Sequence, residues 1–302
     1  MANLCNLDGR IVPEAEARIP VLDRGFLFGD SIYEVVRTAG DVPFGWPEHW
    51  SRLVLSAAAL RLRLDLDEAT VARRVAATLQ EAARSDASHR DSYVRIVVTR
   101  GAGDAPNIDL AYAKGPPCWL IMVRPLTPIA GKPSRLAVVD RLRNDRRALD
   151  PATKSGNYLN SVLALAEAKD QGATDCVMAN AAGHVTEAST SNLFARIGGR
   201  WCTPPLSAGI LAGVTRGLLL SFLPAHGVPV GERDFTVAEL RTADAIFLSS
   251  TLRDVAPVTH LDGRPLPASE AVANGLLAQF QQWTTQRLRD HDAPRWRRLT
   301  GT

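Results

Sequence analysis

The stretch "PATKSGNYLN" fills residues 151–160, and Ser161-Val162-Leu163-Ala164-Leu165-Ala166 after it reads as the body of a helix. The spacing predicts a helix from about Ser155 to Gln171, with Leu159, Val162, Leu163 and Ala166 on one face and Gly172 as its stop. Lys154 therefore stands beside a small-residue turn where an apolar helix is about to begin. Such a lysine is either a solvated loop residue or an amine whose motion the chain restricts. The flanking sequence has to separate the two.

Downstream, short extended stretches are expected at Asp175 to Ala179, His184 to Ala188, Asn192 to Ile197 and Arg200 to Thr203, the last pair joined by Gly198-Gly199. A helix over Val214 to Ala225, a strand over Ala245 to Ser249 and a terminal helix near Ala268 to Asp290 follow. Upstream lies a strand at Leu136 to Asp140, and before it the stretch Arg124 to Lys132, which with Pro133 holds three prolines and a glycine. That composition supports neither a helix nor a central strand.

We therefore expect a small N-terminal domain over 1–124, a linker over 125–133 and a larger C-terminal domain over 134–302. The first opens with a hairpin from Leu4 to Val12 around Asp8-Gly9 and a strand over Ser31 to Thr38. A helix opened by Pro47 buries Leu53, Leu55, Ala58 and Leu60; a second, capped by Asp67, buries Val71, Val75, Thr78 and Leu79. Strands over Tyr93 to Thr99 and Cys118 to Val123 complete it. The fold class is α/β, or α+β.

At 302 residues, 46% hydrophobic and 22% charged, the balance is that of a soluble globular protein with a sizeable core. A net charge of +3 does not argue for nucleic acid, and the basic stretches Arg141 to Arg147 and Arg295 to Arg298 read as solvated surface. The four cysteines, Cys5, Cys118, Cys176 and Cys202, show neither paired nor zinc-ligand spacing. No metal is expected. No apolar run approaches about 18 residues, so no membrane span is expected and the cytoplasm is the default location.

Gly101-Ala102-Gly103 lacks the third glycine of a dinucleotide fingerprint, and neither a phosphate-binding GxxxxGK[ST] nor an HExxH nor a GxSxG occurs. Three unusual placements remain. Lys154 precedes a helix, Glu187 lies among small hydroxyl residues in "VTEASTSNLF", and "LSAGILAGVTR" (206–216) runs a glycine-rich loop into a helix start. A lysine, an acid and an anion cradle are what a pyridoxal phosphate site needs.

These stretches resemble the class IV aminotransferases, the fold-type IV pyridoxal-phosphate family, from "RGFLFGDSIYEVVRT" at 24–38 to "FLSSTLRDVAPV" at 247–258. The resemblance implies a two-domain fold-type IV enzyme, a homodimer, with pyridoxal 5'-phosphate as cofactor and Lys154 as its Schiff-base lysine and proton carrier. It makes Glu187 the partner of the pyridine nitrogen and Arg52 the phosphate-binding arginine. The backbone N–H groups of Val214 and Thr215 and the hydroxyl of Thr251 complete the phosphate cup, and Tyr158 meets the phenolic oxygen. Asn192 reads as structural.

Within the family, Tyr93-Val94-Arg95 resembles the Tyr-x-Arg with which branched-chain enzymes receive substrate carboxylates. Tyr33, Thr251 and Leu252 join them as expected substrate contacts, and Arg253 as a residue able to reach the pocket mouth. The implied reaction is ping-pong transfer of an amino group between an amino acid, L-branched-chain favoured, and 2-oxoglutarate. The alternatives are a D-amino-acid or (R)-amine transaminase, since "FGDSIYEVV" with Tyr33 reads closer to the D-amino-acid branch, and an aminodeoxychorismate lyase.

Overall fold

A computed structural model describes residues 3–301 of the chain. Its contacts divide into two compact units. One runs to Pro128 and takes in Thr153–Asn157 and the segment from Thr285; the other comprises Ile129–Ala152 and Tyr158–Thr284.

In the first unit the opening hairpin forms as read. Strands β1 (Leu4–Leu7) and β2 (Arg10–Pro13) meet at Asp8 and Gly9, whose φ angles of 51° and 95° suit the two-residue turn that matches strand twist. A short helix α1 (Arg24–Phe28), capped by the Asp23 carboxylate, leads into β3 (Ser31–Ala39) and β4 (Val42–Pro43). Helices α2 (Trp46–Ala59) and α3 (Glu68–Ser85) follow, then β5 (Ser92–Thr99) and β6 (Cys118–Pro125). Asp67 caps α3 by accepting the Thr70 N–H at 2.8 Å. The sheet runs β2-β1-β6-β5-β3-β4 and is antiparallel throughout. Ile32, Val36, Val94, Ile96 and Val98 pack with Leu53, Val71 and Val75 in its core.

The register of α2 departs from the hydrophobic reading. Leu53 and Ala57 are buried, while Leu55 and Ala58 face outward. The reason is that polar His49, Arg52 and Ser56 share the buried face, and a reading of apolar spacing alone passes over them.

The second unit holds β7 (Ser134–Val138), α4 (Leu159–Asp170), β8 (Asp175–Val177), β9 (Asn192–Ile197) and β10 (Arg200–Thr203). Then come α5 (Val214–Ala225), β11 (Val230–Glu232), α6 (Val237–Leu240), β12 (Ala245–Ser250), β13 (Asp254–Leu261), β14 (Arg264–Pro265) and α7 (Pro267–Arg287). The sheet order is β11-β10-β9-β12-β13-β7-β8, with β14 beside β13. The pairs β10–β11, β13–β7 and β7–β8 are parallel and the others antiparallel.

Expectation and structure part in several places here. His184 to Ala188 makes isolated bridges rather than a strand. Strand β13 has no counterpart in the sequence reading; Pro257 sits inside it, opposite Phe247, where a proline argues against a strand. Helix α4 buries only the small Ser161, Ala164 and Ala168, and its large apolar residues Leu159, Val162 and Leu163 are exposed. Small residues let the helix approach the sheet closely, which reverses the face expected to be inside.

The terminal helix also ends differently. After α7 a π-turn over Leu288–Asp292 introduces a further helix, α8 (Ala293–Thr300), which returns to the first unit. There Trp296 meets Trp46 edge-on at 4.9 Å, and buried Asp292 accepts the Gly45 N–H at 3.2 Å.

Candidate active site

Lys154 does not enter a helix. The Tyr33 N–H donates to the Lys154 carbonyl at 3.0 Å and the Gly156 N–H to the Ser31 carbonyl at 2.8 Å, so Ser155 bridges antiparallel to Ile32. The Lys154 N–H donates in turn to Ser56 Oγ on α2 at 3.1 Å. Backbone groups engaged in this way are withdrawn from helical bonding, and α4 starts only at Leu159. Gly156 fits because a Cβ there would lie 2.3 Å from Ser31 Oγ.

This pairing aims the lysine. Its Nζ lies 4.3 Å from the centroid of the Tyr33 ring, and the Arg95 guanidinium carbon lies 4.0 Å from the same centroid. Opposite Tyr33 in the sheet is Val97, opposite Val35 is Arg95 and opposite Arg37 is Tyr93. Strand alternation then puts Tyr33, Tyr93 and Arg95 on one face. Lys154, Tyr33 and Arg95 are thus brought together.

Glu34, next to Tyr33, points the other way, to α2. Arg52 donates Nε–H to Glu34 Oε1 at 2.8 Å and Nη2–H to Oε2 at 2.7 Å, and His49 Nδ1 lies 2.7 Å from Oε2. Burial alone would raise the Glu34 carboxyl. The Arg52 charge and hydrogen bonds, followed by those of His49, reverse this and hold it down to about 2. Burial pushes His49 down, against the pull of Glu34.

In the second unit Glu187 is buried within a ring of donors. Arg143 places Nε and Nη2 at 3.0 and 2.9 Å from Oε1, while Asn192 Nδ2 and the Leu211 N–H each donate to Oε2 at 3.1 Å. Arg143 also donates to Asn160 Oδ1 at 3.2 Å. The glycine-rich loop ends at Gly213, where a Cβ would come within 2.0 Å of Asn192 Oδ1. Asn192 thereby ties the acid to the loop that opens α5.

Helix α5 begins at Val214-Thr215 with Gly213 at its N-cap and no side-chain cap, so its first N–H groups are not taken up by a capping side chain. Among the described residues, the buried hydroxyls of Ser191 and Ser249 have no hydrogen-bond partner, and Ser249 pairs in register with Asn192. Half-buried Tyr158 stands at the N-terminus of α4, and Thr251 and Leu252 lie in the turn between β12 and β13. Arg253 donates to Ser134 Oγ at 2.8 Å and lies 3.5 Å from the Asp175 carboxylate.

The sequence reading missed Arg143, Glu34 and His49. Arg143 was hidden in a stretch taken for solvated surface. The other two did leave a signal: Glu34 interrupts the apolar run of β3, and residues 49, 52 and 56 recur at helical spacing.

Residues 31–261 match the family model for amino-transferase class IV. A relative from Methanocaldococcus jannaschii, provisionally named a branched-chain-amino-acid aminotransferase, is 35% identical over 261 residues, covering 85% of this chain and 88% of its own. A D-alanine aminotransferase from Listeria innocua is 32% identical over 266 residues, with 85% and 87% covered. Among solved structures, a branched-chain aminotransferase from Thermoproteus uzoniensis, crystallised with norvaline, matches with a TM-score of 0.84 at 28% identity over 97% of each chain.

Proposed function

The chain belongs to the class IV aminotransferases and is a transferase enzyme, and from that premise we propose pyridoxal 5'-phosphate as its cofactor, L-branched-chain amino acids as favoured donors and 2-oxoglutarate as acceptor. The observation that carries this reading is the Lys154 amine held over the Tyr33 ring beside Arg95. The chemistry of the donor set fits the cofactor: a pinned lysine, a buried carboxylate, an uncapped helix start and two unpartnered buried hydroxyls.

When bound, the cofactor supplies the electron sink that lets a substrate Cα–H leave as a proton. Lys154 Nζ takes that proton and returns it, which an amine tethered at both flanking peptides can do with little loss of orientation. Glu187 holds a proton on the ring nitrogen, and the Tyr158 hydroxyl donates to the phenolic oxygen. The N–H groups of Val214 and Thr215, the Thr251 hydroxyl and Arg52 hold the phosphate. Arg95, with Tyr93, receives a substrate carboxylate, its planar fork matching two oxygens. Tyr33, Thr251 and Leu252 line the side-chain end. The two half-reactions share these groups, so the kinetics are ping-pong.

A homodimer is part of the proposal. It is supported in the second unit by the exposed Leu159, Val162 and Leu163 of α4, and in the first by exposed Phe26 and Ile108. No helix among the described residues is long and apolar enough to cross a membrane. All four cysteines are buried and free, as suits a reducing cytoplasm.

A second reading, D-amino-acid or (R)-amine transfer, is favoured by the 32% identity to a D-alanine aminotransferase. One panel decides between them. The cofactor-loaded protein is mixed separately with L-leucine, L-glutamate, D-alanine and (R)-1-phenylethylamine, and loss of the cofactor's visible band is followed. L-Leucine and L-glutamate are expected to react fastest, and Lys154→Ala to react with none. Faster reaction with D-alanine or the (R)-amine overturns the L-branched-chain assignment.

A further inference from the structure

Neither Glu34 nor His49 has a part in the transfer just described, yet both are more deeply buried than Arg52 itself, at 1% and 2% exposure against 8%. A buried ion pair is weak support for stability, because apolar residues of similar volume often serve as well. This one imposes a geometry. By using Nε and one Nη2 hydrogen, the fork fixes the guanidinium plane and turns its Nη1 edge away from Glu34.

His49 adds a second constraint. With Glu34 ionised and the imidazole neutral, Nδ1 carries the hydrogen donated to Oε2, and Nε2 is a bare acceptor. Nε2 is buried without a hydrogen-bond partner among the described residues. His49 and Arg52 are three residues apart on α2 and converge on the same oxygen, so the histidine blocks the acid from rotating away from the fork. Ser56, one turn further along the same buried face, receives the Lys154 N–H.

We propose that Glu34 and His49 are positioning residues that lock the Arg52 guanidinium in one orientation, with the edge opposite Glu34 presented to the cofactor phosphate. The inference rests on the reading of Arg52 as a phosphate ligand. It concerns how this chain binds a phosphorylated aldehyde and is independent of which amino acid is the substrate.

The test compares two probes, pyridoxal 5'-phosphate and pyridoxal, titrated into cofactor-stripped protein of wild type, Glu34→Gln, His49→Leu, His49→Asn and Arg52→Ala. Circular dichroism confirms the fold of each. Glu34→Gln is expected to weaken the phosphorylated probe about tenfold or more while pyridoxal changes by less than about twofold. His49→Leu should lose several-fold on the same probe only. His49→Asn, whose amide can donate to the same carboxylate, should recover most of it. The ³¹P resonance of the bound phosphate should broaden or shift in Glu34→Gln and His49→Leu, and stay near wild type in His49→Asn.

Equal weakening of both probes, or of neither, overturns the positioning role. If Glu34→Gln does not fold, His49→Leu decides alone by the same criterion. Should Arg52→Ala retain full preference for the phosphorylated probe, the phosphate reading of Arg52 fails. If Arg52→Ala loses that preference and both Glu34→Gln and His49→Leu keep it, only the present inference fails.

Discussion

Glu34 and Arg52 in the first unit and Glu187 and Arg143 in the second are both buried carboxylate–arginine pairs, and the two are built for opposite ends. Glu34 is held by side chains of a single helix, Arg52 and His49 of α2. Glu187 draws on a loop arginine, the asparagine that opens β9 and a backbone N–H in the glycine-rich stretch. In the first pair the acid is the deeper member and the arginine the more accessible, 1% against 10% of the side chain. In the second pair the exposures differ less, 7% for the acid and 12% for the arginine. The difference teaches that an ion pair does not declare which partner meets the ligand. In our reading Glu34 serves Arg52, whereas Arg143 serves Glu187.

The sharpest way to break this contrast is Glu187→Gln. If the acid holds the ring proton, the half-reaction should slow on the order of 10² to 10⁴ with the cofactor still bound. Stopped-flow decay of the visible band measures it, and an unchanged rate would place the working end of the pair elsewhere. Arg143→Met probes the same pair from the other side. It strands a buried acid without its counter-charge, and should cost roughly 3 to 5 kcal/mol of stability in urea unfolding. A loss below about 1 kcal/mol would mean that Asn192 and Leu211 suffice and that the arginine is incidental.

The smallest effect is read from acid titration. The Glu34 carboxyl lies near 2 in the folded chain against an ordinary 4.5. Because the folded value is the lower one, its contribution is complete above about pH 4.5 and disappears as the pH falls toward 2, on the order of 3 kcal/mol in all. Wild type should therefore lose more stability across that window than Glu34→Gln. Parallel acid-unfolding profiles for the two proteins would contradict the charge assignment.

Local features of the fold were readable from residue order. The Asp8-Gly9 turn, the Asp67 cap and the bounds of α5 depend on chemistry within a few positions, and all appear as expected. What escaped depends on partners far along the chain. Nothing near Pro257 announces β13, which exists because β12 and β7 flank it. Leu159, Val162 and Leu163 gave the correct period for α4 and the wrong face, since hydrophobic spacing does not say whether a stripe is covered by the same chain. At the candidate site, Lys154, Tyr33 and Arg95 were named from the sequence and the structure sets them around one ring. Arg143 was missed because its partner lies 44 positions away.

The bridge between Ser155 and Ile32 also bears on insertions and deletions. Side chains alternate along a paired segment, so the lysine's direction is set by residue number rather than by distance. Adding or removing one residue between Lys154 and Gly156 while keeping the pairing of Gly156 with Ser31 would turn the amine away from Tyr33 and leave the backbone hydrogen bonds of the bridge satisfied. Such a protein would fold and melt like its parent, and its lysine would face the wrong side of the strand.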